Sequence, residues 1–213
     1  MNKIVVITGA SGGLGKSLVT EFAANAWRVI GTGRSEQPDD LPQGVLYKQF
    51  DASNATACEL FWQQIKQQYP GTEVCLVNNA DAYVSGGLTE TKVEDYDQQM
   101  KSSYFTAVYM TRYLALNFPK ARIINVISSS ALAAHKNNSA YGAAKAATMH
   151  FFQSLQRELK PEQYQITNLY PFNIASHGPA DNAMSPQDVS AFIREQAEND
   201  RTYYLRDVTI WPR

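Results

Sequence analysis

The chain has few cysteines, no long apolar run and no excess of charge of either sign. Its 213 residues include two cysteines, and 20 acidic side chains stand against 19 basic ones, for a formal net charge of −1. The chain therefore has no excess of positive charge to drive nucleic-acid binding by counterion release, or to attract it to anionic membranes. We therefore expect neither a nucleic acid nor a membrane as a partner.

No stretch approaches the roughly 18 to 20 consecutive apolar residues that cross a bilayer. The first residues, MNKIVVITGASGGLG, run directly into a strand and a glycine turn, without the apolar segment and cleavage site of a signal peptide. Cys58 and Cys75 fall in a predicted helix and a predicted buried strand, where we expect free thiols rather than a disulfide or metal ligands. A reducing compartment is therefore expected, namely the cytoplasm.

Short apolar runs alternate with longer helical patterns along the chain, without a repeat or an interdomain linker. The candidate strands are Ile4–Thr8, Arg28–Thr32, Val45–Phe50, Val74–Asn78, Arg122–Ile127, Gln165–Leu169 and Val208–Trp211. The candidate helices lie near Gly13–Ala26, Ala55–Tyr69, Lys92–Phe118, Ala140–Lys160 and Pro186–Glu198. The strands are nearly continuous in apolar residues, as expected when both faces of a sheet are covered. The pattern predicts an α/β fold, a doubly wound, Rossmann-type parallel sheet of about seven strands with helices on both faces, in a single domain over residues 1–213.

A glycine-rich turn connects the first strand to the first helix, with the sequence Thr8-Gly9-Ala10-Ser11-Gly12-Gly13-Leu14-Gly15. Gly9 permits a sharp turn, Gly13 a close approach of the backbone to a phosphate, and Gly15 close packing of the helix on the sheet. The exposed N–H groups and the positive end of the helix dipole suit a pyrophosphate. The turn therefore predicts a dinucleotide site, with a purely structural turn as the alternative.

The end of the second strand indicates which dinucleotide binds. An acidic residue there would accept hydrogen bonds from a ribose 2′-hydroxyl, whereas an arginine would accommodate a 2′-phosphate. This strand ends in Thr32-Gly33-Arg34-Ser35, and the guanidinium of Arg34 can hold a phosphate with two parallel hydrogen bonds. NADP(H) is favoured. NAD(H) stays an alternative because Glu36 is close, and so does a solvated loop arginine without a ligand.

Tyr141 and Lys145 are four residues apart in a strong helical pattern and lie on one face, one turn apart. At about 4 Å and an effective dielectric near 20, the ammonium would stabilise a phenolate by about 4 kcal/mol, or about 3 pKa units. We therefore expect the phenol to titrate near neutrality, where a general acid–base works best. Ser128, at the end of the strand Arg122–Ile127, could hold a substrate oxygen together with Tyr141. Chance spacing and a polar turn are the alternatives.

Together these residues resemble the short-chain dehydrogenases/reductases, in the compact single-domain branch of that family. The resemblance covers the chain from Ile4 to about Ser176 and weakens after that. The matching positions are Gly9, Gly13 and Gly15 of the glycine motif, Tyr141 and Lys145 of Tyr-x-x-x-Lys, the serine position Ser128, and Asp51-Ala52, Asn78-Asn79-Ala80, Pro171 and Ile174.

The resemblance implies roles for these residues. Tyr141 would exchange a proton with the substrate oxygen, Ser128 would position that oxygen, and Lys145 would bind the nicotinamide ribose and lower the pKa of Tyr141. Hydride would pass between nicotinamide and the substrate carbon, and no metal would be needed. The residues expected to contact the cofactor are Gly9, Ser11, Gly13, Leu14, Gly15, Arg34, Asp51, Ala52, Asn79, Ala80, Tyr141, Lys145, Pro171 and Ile174.

The chain departs from the family pattern at four places. Asp81 replaces the glycine that ends Asn-Asn-Ala-Gly, and Ser103 stands where an asparagine of the proton relay is usual. Phe172 replaces a glycine after Pro171 and would crowd the nicotinamide edge or fill the pocket. The substrate loop near 172–185 and the helices that usually cover the site are cut down. These changes bear on substrate range and turnover more than on cofactor binding.

We therefore expect an NADP(H)-dependent oxidoreductase that acts on a small carbonyl or alcohol. The four departures favour an alternative, a dinucleotide-binding regulatory protein with little or no turnover. A nucleotide-sugar epimerase or dehydratase would need a C-terminal sugar-binding region, for which 213 residues leave no room. Among the histidines, His135 could line the pocket, whereas His150 and His177 have no evident role.

The helices Lys92–Phe118 and Ala140–Lys160 carry more apolar and small residues than a solvent-facing surface needs. In the family that the chain resembles, these two helices form the dimer interface. A homodimer is therefore expected.

Overall fold

The computed structural model describes residues 3–176, 178 and 181–213. The strands are β1 (Lys3–Thr8), β2 (Arg28–Gly33), β3 (Leu46–Gln49), β4 (Glu73–Asn78), β5 (Ala121–Val126), β6 (Tyr164–Pro171) and β7 (Asp207–Ile210). The helices are α1 (Gly13–Ala24), α2 (Ala55–Gln68), α3 (Val93–Met100), α4 (Thr106–Asn117), α5 (Ser139–Glu158) and α6 (Pro186–Ala197). A 3₁₀ turn, Ser129–Ala131, follows β5.

These strands form one parallel sheet in the order β3-β2-β1-β4-β5-β6-β7. The chain first builds outward from β1 to β3 and then crosses back to add β4 on the other side of β1. Ligands of open α/β sheets bind at such a reversal, beyond the carboxyl ends of the strands. The predicted fold class is confirmed, and the reversal brings the turn after β1 next to the segment after β4.

Each face of the sheet is covered by its own hydrophobic core. Along β1 the side chains alternate between the two cores, with Ile4 and Val6 in the first and Val5 and Ile7 in the second. Helices α2, α4 and α5 contribute Trp62, Met110 and Phe152 to the first core, and α1 and α6 contribute Phe22 and Ile193 to the second. Burial on both faces explains why the strands are continuous in apolar residues.

One predicted helix is interrupted. Residues 92–118 were expected to form a single helix, but a π-helical turn, Lys101–Phe105, separates α3 from α4. A π-helical turn fits an extra residue into the helix and occurs often at functional sites. Here it places Ser102 and Ser103 on the buried side.

The segment near 172–185 folds back on itself after β6. The N–H of Ala175 donates to the carbonyl of Met184 at 3.0 Å, and the N–H of Met184 donates to that of Asn173 at 2.8 Å. His177, in this segment, lies outside the described residues, as do residues 179 and 180. The shortened substrate loop therefore stays a prediction.

Cys58 and Cys75 are buried free thiols, as predicted. Within the described part of the chain, no helix combines the length and the apolar character that crossing a membrane requires. The reducing, cytoplasmic compartment stays a prediction.

Candidate active site

The glycine turn lies at the carboxyl end of β1 and is fixed there by the segment that follows β4. The side-chain amide of Asn79 donates to the carbonyls of Thr8 at 3.0 Å and Gly9 at 3.2 Å. In return, the Thr8 hydroxyl accepts the backbone N–H groups of Asn79 at 3.0 Å and Ala80 at 2.9 Å. Gly9 has a φ of 68°, and a Cβ there would lie 2.7 Å from the Cα of Ala80. Glycine is therefore required where these two segments meet.

The amino end of α1 is suited to an anion. Its N-cap, Gly12, offers no side-chain acceptor, and the first turn carries no acidic residue. The N–H groups that begin a helix have no partner within the helix, and the helix dipole is positive there. A Cβ on Gly15 would lie 2.0 Å from the carbonyl oxygen of Gly9, so this residue keeps the turn compact. The bare turn fits a pyrophosphate group.

Gly13 is predicted to leave room for a phosphate, and that role stays a prediction. The structure adds a second constraint, because a Cβ at this position would lie 1.9 Å from the carbonyl oxygen of Ser176. The segment after β6 therefore approaches the glycine turn directly, and Gly13 makes that approach sterically possible.

A cleft of about 500 Å³ extends from the turn along the ends of β2 and β3. Its lining includes the predicted cofactor residues Gly9, Ser11, Gly13, Leu14, Gly15, Arg34, Asp51, Ala52, Asn79, Ala80 and Tyr141. Arg34 directly follows β2, is exposed, and is the one cationic side chain lining this cleft in the described part of the chain. Lys16, on α1, is instead paired with Asp40 at 2.7 Å. Arg34 is thus placed to meet an anionic group at this end of the cleft.

A second cavity, of about 600 Å³, adjoins the first and contains Ser128, Tyr141, Lys145, Pro171 and Ile174. The residues lining both are Leu14, Asn79, Asp81, Tyr83, Tyr141 and Ser176. The two cavities therefore form one continuous site, which joins the glycine turn to the Tyr-Lys pair. A larger cavity, of about 870 Å³, lies at the amino ends of β4, β5 and β6 and contains none of the predicted site residues.

Lys145 is buried beneath this site and makes an ion pair that the sequence reasoning missed. Its side chain is 5% exposed, and its Nζ lies 2.7 Å from Oδ2 of Asp81. The same Nζ donates to the carbonyl of Val126 at 3.2 Å and lies 5.5 Å from the centroid of the Tyr141 ring. Asp81, at the position where the family pattern has glycine, therefore binds the cation that was assigned to the tyrosine.

The predicted lowering of the Tyr141 pKa is wrong for this structure. Burial raises the pKa of Tyr141 above its ordinary value; Lys145 lowers it, Asp81 raises it, and Ser128 and Tyr83 make smaller opposing contributions. The ammonium alone would lower the pKa of the phenol, but burial and the carboxylate act against it. Burial would lower the pKa of Lys145, but Asp81 and Tyr141 raise it, so the ammonium stays charged.

Ser103 lies behind the site and lines neither of the two joined cavities. Its hydroxyl donates to the carboxylate of Asp81 and accepts from Nε2 of Gln99 at 2.6 Å. Gln99 is fully buried and was missed by the sequence reasoning. The available signal was an amide and a hydroxyl four residues apart, which share one face of a helix.

Tyr83 and Phe172 line the second cavity beside Tyr141. One expectation was that Phe172 fills the pocket. Instead, it is 42% exposed and stacks on Trp211, with ring centroids 4.4 Å apart. Tyr83 is 67% exposed and meets Tyr141 edge to face, with centroids 5.0 Å apart. His135 is exposed and also lines this cavity. Neither Tyr83 nor Trp211 was anticipated from the sequence.

Known proteins match both the sequence and the fold. An NADP-dependent 3-hydroxy acid dehydrogenase of Salmonella typhi is 30% identical over 179 residues, which cover 79% of this chain and 71% of that protein. An NADPH-dependent 1-acyldihydroxyacetone phosphate reductase of Schizosaccharomyces pombe is 28% identical over 172 residues, or 78% of this chain and 58% of that one. The crystal structure of serine dehydrogenase from Escherichia coli has a similar fold, with a TM-score of 0.87, 24% identity and coverage of 98% and 97% of the two chains.

The family model described as short chain dehydrogenase matches residues 3–184, which include the glycine turn, Ser128, Tyr141 and Lys145. This span covers most of the chain, and it agrees with the fold and with the position of the site. The chain belongs to the short-chain dehydrogenase family of oxidoreductases.

Proposed function

We propose that this protein is an NADP(H)-dependent oxidoreductase that reduces a small carbonyl compound to an alcohol. One observation carries the proposal. A continuous site joins the amino end of α1, which has no side-chain cap and no acidic residue in its first turn, to Ser128 and Tyr141. A dinucleotide with its phosphates on the glycine turn has room to extend along this site toward the Tyr-Lys pair.

Two hydroxyl groups are available to the substrate oxygen. The Oγ of Ser128 accepts the backbone N–H of Ser130 at 3.1 Å, which leaves its own proton to be donated to Tyr141 or to a substrate oxygen. Tyr141 is the proton donor, because its raised pKa keeps the phenol protonated at neutral pH. NADPH, when bound, supplies hydride to the carbonyl carbon. A protonated phenol beside the cavity can donate its proton to the oxygen of a bound carbonyl.

Arg34 supports NADP(H) as the cofactor. Its guanidinium lines the cleft at the end of β2, where a ribose 2′-phosphate would lie. The Salmonella and Schizosaccharomyces relatives are named NADP-dependent and NADPH-dependent, respectively. NAD(H) stays the alternative, since Glu36 is two residues away.

The aromatic side chains Tyr83 and Phe172, which line the second cavity, support an apolar carbonyl substrate. Tyr83 and Phe172 expose ring surface beside Tyr141, and Trp211 extends the surface of Phe172. Rings of this kind offer large apolar contact areas and edge-to-face contacts to another ring. We therefore place compact ketones and aldehydes with an aromatic or branched apolar group first among the candidates.

NADPH oxidation against a panel of such carbonyls tests the function, with Tyr141→Phe as the inactive form. We expect the variant to lose about 10²- to 10⁴-fold in kcat, the usual contribution of a positioned general acid, while NADPH fluorescence reports unchanged binding. Tyr203→Phe removes an exposed hydroxyl elsewhere and should keep full activity. Equal rates in Tyr141→Phe and the parent protein would contradict the assignment.

A second candidate is a protein that binds the dinucleotide without turning it over. The ion pair between Asp81 and Lys145 favours it, because the ammonium expected to hold the nicotinamide ribose already donates to Asp81 and to the carbonyl of Val126. This candidate predicts tight NADPH binding without oxidation of NADPH by any carbonyl of the panel. The same experiment therefore distinguishes the two.

We also propose a homodimer that packs through α4 and α5. Phe105, at the end of the π-helical turn, is 37% exposed, and Leu116 on α4 is 63% exposed. Phe105 contacts the rings of Tyr104 and Tyr109, and Tyr104 also meets Phe151 of α5. An apolar surface shared by two helices is suited to the same surface of a second copy.

A further inference from the structure

Asp81 is surrounded by donors that fix its carboxylate in one orientation. Its Oδ1 accepts the N–H of Ala82 at 2.9 Å, the amide of Gln99 at 3.2 Å and the hydroxyl of Ser103. Its Oδ2 faces the ammonium of Lys145 at 2.7 Å. The Asp81 side chain is 21% exposed and that of Lys145 is 5% exposed, so water screens the ion pair less than it would at the surface.

Gln99 is the centre of the arrangement. The two N–H groups of its Nε2 are shared among Asp81, Ser103 and the carbonyl of Ala82, which lies 2.7 Å away, and its Oε1 accepts the N–H of Val84 at 2.9 Å. Both ends of this buried amide are therefore satisfied by the loop that carries Asp81. The π-helical turn after α3 brings Ser103 to the same carboxylate. Two helical residues and the loop after β4 thus hold Asp81 jointly.

The ammonium of Lys145 has three N–H donors. Asp81 and the carbonyl of Val126 accept two of them, at 2.7 Å and 3.2 Å. The third stays available to the cavity that Lys145 lines together with Tyr141. The ammonium is therefore fixed in direction and retains one donor for a ligand.

We propose that Asp81, held by Gln99 and Ser103, is a positioning residue that fixes the ammonium of Lys145 and, by its charge, sets the pH range in which Tyr141 acts as an acid. Asp81 contacts Lys145 and not the reacting atoms, so it acts through the lysine. The proposal deepens the reductase function proposed above, because a carboxylate near the phenol opposes loss of the phenolic proton.

The titratable side chains that line the cavity around Tyr141 are Asp81, Tyr83, His135, Lys136 and Lys145. Asp81 supplies the negative charge in contact with Lys145, whose Nζ lies 5.5 Å from the centroid of the Tyr141 ring. His135 and Lys136 are exposed, and solvent screens their effect on the phenol. Burial raises the pKa of Tyr141 most, and the balance between Lys145 and Asp81 is the largest contribution from charged groups.

The test is a pH titration of the cofactor-free protein, followed by the ultraviolet absorbance of tyrosinate. Subtracting the curve of the matching Tyr141→Phe protein isolates the phenol of residue 141. We expect Asp81→Asn to move its ionisation to lower pH by about 1 unit or more, since an unopposed ammonium stabilises the phenolate. Asp81→Gly restores the glycine of the family pattern and should give the same shift, so a folding failure of one variant does not prevent the test.

Asp97→Asn is the matched control. It removes an exposed carboxylate from α3, the helix that carries Gln99, and should leave the ionisation of Tyr141 unchanged. A purely structural role for Asp81 would lower the thermal stability without moving the titration. An unchanged or higher ionisation pH in folded Asp81→Asn or Asp81→Gly would overturn the proposal.

The titration needs neither cofactor nor substrate, so its outcome is independent of the reductase assay. If the Asp81 variants lower the ionisation pH of Tyr141 but the protein reduces no carbonyl, the proposed role of Asp81 stands and the proposed function is rejected. If the protein is an active reductase but the Asp81 variants leave the ionisation pH of Tyr141 unchanged, the function stands and the role of Asp81 is rejected.

Discussion

At the scale of single residues, the acidity of Tyr141 depends on what its lysine contacts. An isolated ammonium four residues away would lower the pKa of a phenol, and that was the expectation. Here burial raises the pKa of Tyr141, and Lys145, which is bound to Asp81, does not offset that effect. A phenol of this kind is held as an acid over a wide pH range.

The pH dependence of carbonyl reduction follows from that direction. Tyr141 is active when protonated, and a raised pKa extends the protonated range upward. The rate should be level from about pH 6 to about pH 9 and should fall only as the pH rises above about 10, the ordinary value for tyrosine. Steady-state kcat across this range measures it. A decline centred near pH 7 would show a phenol that the ammonium, not the carboxylate, controls.

Arg34 determines the choice of cofactor in this account. Arg34→Ala should weaken NADPH binding by about 10- to 100-fold, the usual worth of a charged hydrogen-bonding pair, and leave NADH binding unchanged. Titration of cofactor fluorescence gives both constants. Arg112→Ala removes an exposed arginine from α4 and should alter neither. An equal loss of affinity for NADPH and NADH would mean that Arg34 does not bind the 2′-phosphate.

At this scale the sequence shows which residues carry chemistry but not which of them touch. The spacing of Tyr141 and Lys145 within one helix was sufficient to place them together. The contact between Asp81 and Lys145 joins residues 64 positions apart on different elements, and no local pattern reveals it. The contacts of Gln99 with Ala82 and Val84, in the loop after β4, are likewise tertiary.

At the scale of elements, a ladder of polar side chains crosses the carboxyl half of the sheet. Neighbouring strands align Asn78, Asn125, Asn168 and Asp207 in register. Each amide donates to the next side chain, at 2.9 Å, 2.8 Å and 3.1 Å in turn. Buried polar groups are costly unless every partner is present, so this row fixes the strand register near the site.

Asn125→Leu tests the ladder. Removing its amide leaves the side chains of Asn78 and Asn168 each short of one buried partner, and we expect a loss of about 2 to 4 kcal/mol in the free energy of unfolding. Urea denaturation measures it. Ile124→Leu, at the neighbouring buried position, conserves volume and should cost less than about 1.5 kcal/mol. Equal stability of the two variants would show that the ladder contributes little.

Most elements were predictable because their patterns are local. Strands such as Glu73–Asn78 are apolar and bounded by turns, and helix α6 begins with a serine cap followed by a proline. The π-helical turn at Lys101–Phe105 was missed because its residues continue an ordinary helical pattern. The buried contacts of Ser103 with Asp81 and Gln99 accompany that turn, and they are tertiary rather than local.

At the scale of the whole molecule, the exposed surface of α4 and α5 predicts a homodimer. Static light scattering at micromolar concentration should give twice the mass of one chain. Phe105→Glu places a charge in the proposed interface and should shift the protein toward a monomer. Leu60→Glu alters an equally apolar exposed site on α2 and should leave the dimer intact. If the parent protein is a monomer at this concentration, the proposed homodimer is wrong.

The central claim is that one continuous site brings the reduced nicotinamide next to the carbonyl that Tyr141 protonates. The most direct measurement uses NADPH that carries deuterium at the transferable position of the nicotinamide, together with a carbonyl that the protein reduces. Mass spectrometry of the alcohol should find the deuterium on the former carbonyl carbon, and Tyr141→Phe should form far less of this product while still binding NADPH. An alcohol without deuterium, or tight NADPH binding with no alcohol from any carbonyl tested, would contradict the account.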